Sequence, residues 1–367
     1  MSRHIKKIHG GLDYSQLKKK GIRPEDIIDF SVSINPFPIH KSVIKAVKNC
    51  SLIRYPDSAA FDLREKIALL ENCTVDEILV VNGTSQGINL IGEAFLDSNS
   101  TVLIASPAYS QYKNISLLKK AKIIEIQSDV SKNFNHDVKK IIATIEEKKP
   151  TIFWLCNPNN PTGTYIPKDK MEQIETAAIK TGTIVVVDEA YVAFTNKDLR
   201  FKKVSPKILR LNSMTKDYGI PGLRLGYIHG DSDILKSIAD YQPEWSISSP
   251  AQKAGIACLK EYNYYSSTWT AVKEECERIR LSLKQLGLQV YETESNFFMV
   301  KLGNRESVPP GKTGYASLLQ KALEKKKIQI RDCSSFGYGD HIRIGVHSRK
   351  NNEKLYEAIK GEISIWE

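Results

Sequence analysis

The residue with the clearest chemical potential is Lys216, in the stretch 212–227, NSMTKDYGIPGLRLGY. The stretch reads as a strand end, a polar turn carrying the lysine, a Pro-Gly break and a short strand that closes with Gly226. Elsewhere in the chain, lysines sit in mixed-charge runs that serve solubility. Lys216 is instead flanked by Ser213 and Thr215 and followed by Arg224. A nearby cation or partial desolvation lowers the pKa of an ammonium, and the freed amine can attack a carbonyl to form a Schiff base. A plain surface lysine in a turn is the alternative.

Other stretches supply complementary chemistry. Asn82-Gly83-Thr84-Ser85 follows the apolar run ILVV and opens a helical pattern. Glycine and hydroxyl residues at a helix start gather free N–H groups at the positive dipole end, which suits a phosphate, although such caps are common without a ligand. Tyr109 lies just past a strand end, where an aromatic ring can lie flat on a heteroaromatic one. In residues 157–163, NPNNPTG, two prolines and a glycine fix the backbone and leave the Asn160 amide able to donate to a phenolate oxygen. Asp188 ends the buried run TIVVV, with Glu189 expected to face away and Tyr191 close behind. Arg343 sits between apolar residues in a strand pattern, where a guanidinium is costly unless it meets an anion or a salt-bridge partner. Arg331 is a second such candidate.

The elements that must position these residues alternate as strand and helix. Strands are expected at 78–81, 101–105, 122–126, 151–156, 183–187 and 206–211, with helices near 59–70, 88–95, 117–120 and 138–148. This βαβ rhythm implies an α/β fold with a mostly parallel sheet, and each chemical motif falls at a strand end, where open α/β sheets bind ligands. Residues 27–34, IIDFSVSI, read as a further strand, 251–286 as one or two long helices, and the remaining C-terminal part as an α+β unit.

In combination these motifs resemble the aminotransferase superfamily of fold-type I pyridoxal-phosphate (PLP) enzymes. S-x-x-K followed by G-L-R-x-G-Y resembles its cofactor-lysine signature, and N-P-x-N-P-T-G and D-E-A-Y resemble its cofactor loops. The resemblance implies a seven-stranded, mostly parallel sheet in a large domain (residues 46–245). It also implies a small α+β domain built from residues 246–367 joined by the segment 1–45. It further implies PLP as cofactor, with Gly83, Thr84, Ser85, Ser213 and Arg224 around the phosphate, Tyr109 stacked on the ring, and Asn160 and Tyr191 at the ring hydroxyl. Asp188 would face the ring nitrogen and make the ring an electron sink. Lys216, Asp188 and Tyr191 are the catalytic candidates. The string RYPD resembles the segment that carries a tyrosine, here Tyr55, to the cofactor phosphate of a partner subunit, implying a homodimer.

Within the superfamily, His9-Gly10-Gly11 followed by DFSVSINPFP resembles the opening of threonine-phosphate decarboxylases of cobalamin biosynthesis, and histidinol-phosphate aminotransferases are a more distant likeness. His9, Gly10, Ser33, Asn35, Arg331 and Arg343 are then the substrate-binding candidates. Ser33 stands where the decarboxylase pattern has asparagine, Ser248 replaces another asparagine, and His347 replaces an arginine. The implied reaction is decarboxylation of L-threonine or L-serine O-phosphate through an external aldimine. The alternative is glutamate-dependent transamination of a histidinol-phosphate-like substrate or a phosphorylated three-carbon ketone.

Composition bounds other classes. The 367 residues are 41% hydrophobic and 26% charged, as in globular proteins. The formal charge of +11 comes with short lysine runs rather than a basic stripe with interleaved aromatics, so a nucleic-acid partner is not expected. No apolar run approaches membrane-spanning length and the basic N-terminus lacks an apolar core behind it, so the expected location is the cytoplasm. The six cysteines have no metal-ligand spacing.

Overall fold

The computed structural model describes residues 10–195, 204–302 and 314–364. Its strands, in chain order, are β1 (Ile28–Asp29), β2 (Ile78–Val81), β3 (Thr101–Ser106), β4 (Lys122–Gln127), β5 (Ile152–Cys156), β6 (Ile184–Asp188), β7 (Ile208–Ser213), β8 (Gly226–His229), β9 (Gln289–Val290), β10 (Phe297–Lys301), β11 (Ile328–Gln329), β12 (Arg331–Asp332) and β13 (His341–Gly345).

Seven of them form one sheet in the order β2-β8-β7-β6-β5-β3-β4. The strands β7, β6, β5, β3 and β4 pair in parallel, and only β8 runs against its neighbours β2 and β7. The chain composition explains why this sheet is buried on both sides. In β3 and β5 both alternating sets are apolar, so Val102, Ile104 and Trp154 pack on one face with Ile88 and Ile91. Leu103, Phe153 and Leu155 pack on the other face with Ile141, Ile145 and Ile174.

The direction of the strands fixes the site. The carboxyl ends of β2, β3, β5, β6 and β7 lead into Gly83, Tyr109, Asn160, Tyr191 and Lys216 respectively. Because β8 is antiparallel, its start lies on that same edge and delivers Arg224 there.

A second sheet, β12-β13-β10-β9, is antiparallel, and β1 pairs in parallel with β11. The helical stretch at 251–286 resolves into two helices, Ser249–Lys260 and Tyr262–Gln285. The strand expected over 27–34 is cut to two residues. The Asp29 carboxylate accepts from the Ser31 N–H at 2.9 Å and from the Ser31 hydroxyl at 2.6 Å, and this local turn takes the chain off the ladder. Gly226, expected to close its strand, begins it. Among the described residues no helix is long and apolar enough to cross a membrane.

Candidate active site

The strand ends and the antiparallel sheet enclose a cavity of about 510 Å³. It is lined by Gly10, Ser33, Thr84, Ser85, Tyr109, Asn160, Asp188, Tyr191, Lys216, Arg224, Arg331 and Arg343, which brings twelve of the expected residues together.

Lys216 lies in the single turn Met214–Asp217, whose N-cap Ser213 accepts from the Thr215 N–H. From below, the Asn35 N–H donates to the Lys216 carbonyl at 2.8 Å. Burial pulls the Lys216 ammonium down to about 8, helped by the positive charges of Arg343 and Arg224 and opposed by Asp188. A fraction of neutral amine near neutrality is what nucleophilic attack on a carbonyl requires.

Asp188 is buried at 4% exposure. Burial raises its pKa, and hydrogen bonds from Tyr112 and the Ala190 N–H together with the charge of Lys216 work against that rise. Glu189 turns from the cavity, its carboxylate 3.7 Å from Arg210.

At the other end, the helix Gly83–Phe95 begins with Gly83 at φ 71° and carries no side-chain cap. The Arg224 guanidinium lies so close to Gly83 that an added Cβ would stand 2.5 Å from its Nη2. Glycine is thus required here by both conformation and space. The result is a cradle of helix N–H groups, the Thr84 and Ser85 hydroxyls and one guanidinium, which suits a phosphate.

Arg331 and Arg343 are register partners on β12 and β13. The Arg343 guanidinium donates to Asn160 Oδ1 at 2.5 Å and to the Ser31 carbonyl at 2.7 Å, and lies 5.0 Å from the Phe297 ring centroid. Arg331 donates to Ser335 Oγ at 2.8 Å and lies over Phe336. Burial, and then the neighbouring charge of Arg343, lowers its pKa. Ser33 is buried, and among the described residues its hydroxyl has no hydrogen-bond partner.

Some expected residues stand elsewhere. Asn35 does not line the cavity: its amide donates to the Asp217 carbonyl and Thr268 Oγ1, both at 2.8 Å, so it braces the lysine turn instead. The Ser213 hydroxyl shares a 2.6 Å hydrogen bond with Thr215. Tyr55 is 80% exposed, does not line the cavity, and packs on Trp245 with ring centroids 4.7 Å apart. His9 lies outside the described residues. The glycines after it lie close against the protein's own backbone. A Cβ on Gly10 would stand 2.3 Å from the Ser31 carbonyl oxygen, and the Gly11 N–H donates to Ser31 Oγ at 2.8 Å.

Among the lining residues that were not anticipated are Tyr112, Cys156 and Ser31. For Tyr112 the one signal was its closeness in sequence to Tyr109, the N-cap of its helix, whose ring it meets edge-on. Cys156 and Ser31 carry no comparable mark.

One lysine amine, one buried carboxylate and one phosphate cradle around a single cavity fit a cofactor that carries an aldehyde, a basic ring nitrogen and a phosphate. The profile of the aminotransferase class I and II family matches residues 25–359. The chain belongs to this family. Pyridoxal 5'-phosphate is the family's cofactor, and the chain is a PLP-dependent, aminotransferase-like enzyme of fold type I. It is 31% identical over 337 residues to a provisionally named threonine-phosphate decarboxylase of Caldanaerobacter subterraneus subsp. tengcongensis, covering 90% of this chain and 88% of that protein. It is 28% identical over 341 residues to histidinol-phosphate aminotransferase 1 of Bacillus cereus (strain ATCC 14579), covering 91% and 88%. The crystal structure of the histidinol-phosphate aminotransferase from Clostridium acetobutylicum superposes with a TM-score of 0.81 at 28% identity, covering 91% of this chain and 98% of that one.

Proposed function

We propose that the enzyme decarboxylates an O-phosphorylated amino acid, L-threonine or L-serine O-phosphate. The observation that carries this reading is the pairing of Arg331 with Arg343 at the rim of one cavity. Two guanidinium groups side by side suit a small molecule with two anionic groups, a carboxylate and a phosphate. The likeness to a relative named for threonine phosphate supports it.

In this reading PLP, when bound, supplies an electron sink for negative charge at the substrate Cα. Lys216 would hold the cofactor, Asp188 would keep a proton on the ring nitrogen, and Tyr109 would pack against the ring. Asn160 and Tyr191 would serve the ring oxygen. Gly83, Thr84, Ser85 and Arg224 would take the cofactor phosphate, with Ser213 supporting them through Thr215. Gly10 and Ser33 close the substrate side, and His9 precedes them in the chain. Between them Arg331 and Arg343 would hold the substrate's phosphate and its carboxylate, and so set the orientation from which the carboxylate leaves.

The same residues suit transamination from glutamate to a histidinol-phosphate-like substrate or a phosphorylated three-carbon ketone. The observation that favours this second reading is the Lys216 amine, whose pKa of about 8 equips it to carry a proton near neutral pH. The histidinol-phosphate aminotransferase relative covers as much of the chain.

We infer further that Tyr55 serves the cofactor phosphate of a second copy in a homodimer. Its 80% exposure, with Leu52 and Ile53 exposed beside it, supports this. The pairing of β1 with β11 supports a small domain of residues 1–45 and 246–367 beside a large one of 46–245.

Substitution of Arg331 tests the substrate class. Arg331→Ala is expected to lose about a hundredfold in kcat/KM on the phosphorylated substrate and far less on its unphosphorylated analogue, with Arg331→Lys recovering part. Equal losses on both compounds would contradict the reading.

A further inference from the structure

We propose that Tyr112 is the positioning residue that orients Asp188 and holds its negative charge in place. The inference rests on the role of Asp188 proposed above. Tyr112 is 0% exposed, and its hydroxyl donates to Asp188 Oδ2 at 2.7 Å. The other carboxylate oxygen, Oδ1, accepts from the Ala190 N–H at 3.0 Å. Together the two donors set the plane of the carboxylate.

The phenol has little freedom to move. Its ring stacks on Trp154 with centroids 5.3 Å apart and 5° between planes, and Tyr109 meets it edge-on at 5.8 Å. Trp154 stands on β5, and Cys156 of that strand is the register partner of Asp188 on β6. Two neighbouring strands and the helix Ser110–Leu118 therefore fix both ends of the hydrogen bond. Tyr112 thus links Tyr109, the ring expected over the cofactor, to the carboxylate expected at its edge.

Charge acts in the same direction as this geometry. A carboxylate buried among apolar strands tends toward its neutral acid, and each hydrogen bond donated to the ionised form opposes this. A distance of 2.7 Å from hydroxyl to carboxylate is that of a charge-assisted bond. The titratable and charged groups around Asp188 are Tyr112, Tyr109, Tyr191, Cys156, Lys216, Arg224 and Arg343. Of these, Lys216 and the two arginines are cationic, and Tyr112 is the side chain that donates directly to the carboxylate. A neutral Asp188 could not keep a proton on a ring nitrogen. Without Tyr112 the electron sink would weaken although every cofactor contact remained.

The test compares Tyr112→Phe, Asp188→Asn and the double variant with wild type. The phenylalanine keeps the ring stack and removes only the hydroxyl. In the holoenzyme, Tyr112→Phe is expected to lower kcat about tenfold and change KM less than twofold. In the apoenzyme, the infrared carbonyl band of a protonated carboxylic acid, with Asp188→Asn as the blank, is expected to titrate about one pH unit higher in Tyr112→Phe than in wild type. In the Asp188→Asn background the same substitution should cost less than twofold. An unshifted band with unchanged kcat would overturn the inference, as would an equal loss in both backgrounds. If Asp188→Asn itself kept full activity, the role of Asp188 would fall and this inference with it.

Discussion

The guanidinium of Arg343 bridges Asn160 Oδ1 at 2.5 Å and the Ser31 carbonyl at 2.7 Å, tying the antiparallel sheet to both the NPNNPTG loop and the N-terminal segment. Two diverging acceptors match the fixed fork of an arginine and not the single point charge of a lysine. Arg343→Lys should therefore keep the charge, lose one bridge and lower kcat/KM at least about tenfold, equivalent to about 1.4 kcal/mol. Steady-state kinetics read this, and a Lys variant within about twofold of wild type would show that the bridging geometry is unimportant.

The depressed pKa of Lys216 predicts a pH window in apoenzyme stability. Its value falls from the ordinary 10.5 to about 8 in the folded protein. Below about 8 the ammonium is charged in both states, and its burial penalty is fully present. Between about 8 and 10.5 the unfolded chain holds a proton that the folded chain has released, so stability rises with pH across that window. Apoenzyme unfolded by urea at about pH 7 and about pH 10 should gain more stability than Lys216→Met over the same interval. Equal gains in the two proteins would mean that Lys216 titrates normally.

Much of the site was legible because its motifs are local. Lys216, Asn160 and Asp188 each sit in a short string whose turn chemistry and strand-end position can be read without knowing the fold. Three features could not be read that way. The Tyr112–Asp188 bond spans 76 positions, and the bond from Asn35 to Thr268 spans 233, so neither leaves a local mark. The side chain of Asn35 looked like a substrate contact because the string around it resembled one, whereas the packing beneath Lys216 employs it. The apolar alternation of IIDFSVSI promised a long strand, but a single Asx-type turn at Asp29 ends it after two residues. The mostly parallel sheet was legible in the continuous apolar runs of its strands, which suit burial on both faces, whereas its count of seven was implied by the family resemblance.

The exposure of Tyr55 leads to a prediction about assembly. If its hydroxyl reaches a second copy's cofactor phosphate, Tyr55→Phe should weaken PLP binding about tenfold while leaving the fold intact, the loss of one charge-assisted hydrogen bond. Sedimentation of the holoenzyme should show a dimer. A fully active monomer, or unchanged PLP affinity in Tyr55→Phe, would remove that role.

In the proposed function two arginines at one cavity select a phosphorylated amino acid and direct loss of its carboxylate. The most direct measurement incubates the PLP-loaded enzyme separately with phosphothreonine, phosphoserine and glutamate, and assays carbon dioxide and 2-oxoglutarate. Carbon dioxide released in step with consumption of a phosphoamino acid, with no 2-oxoglutarate from glutamate, is the predicted result. Formation of 2-oxoglutarate from glutamate, with no carbon dioxide from either phosphoamino acid, would contradict it and make the enzyme an aminotransferase.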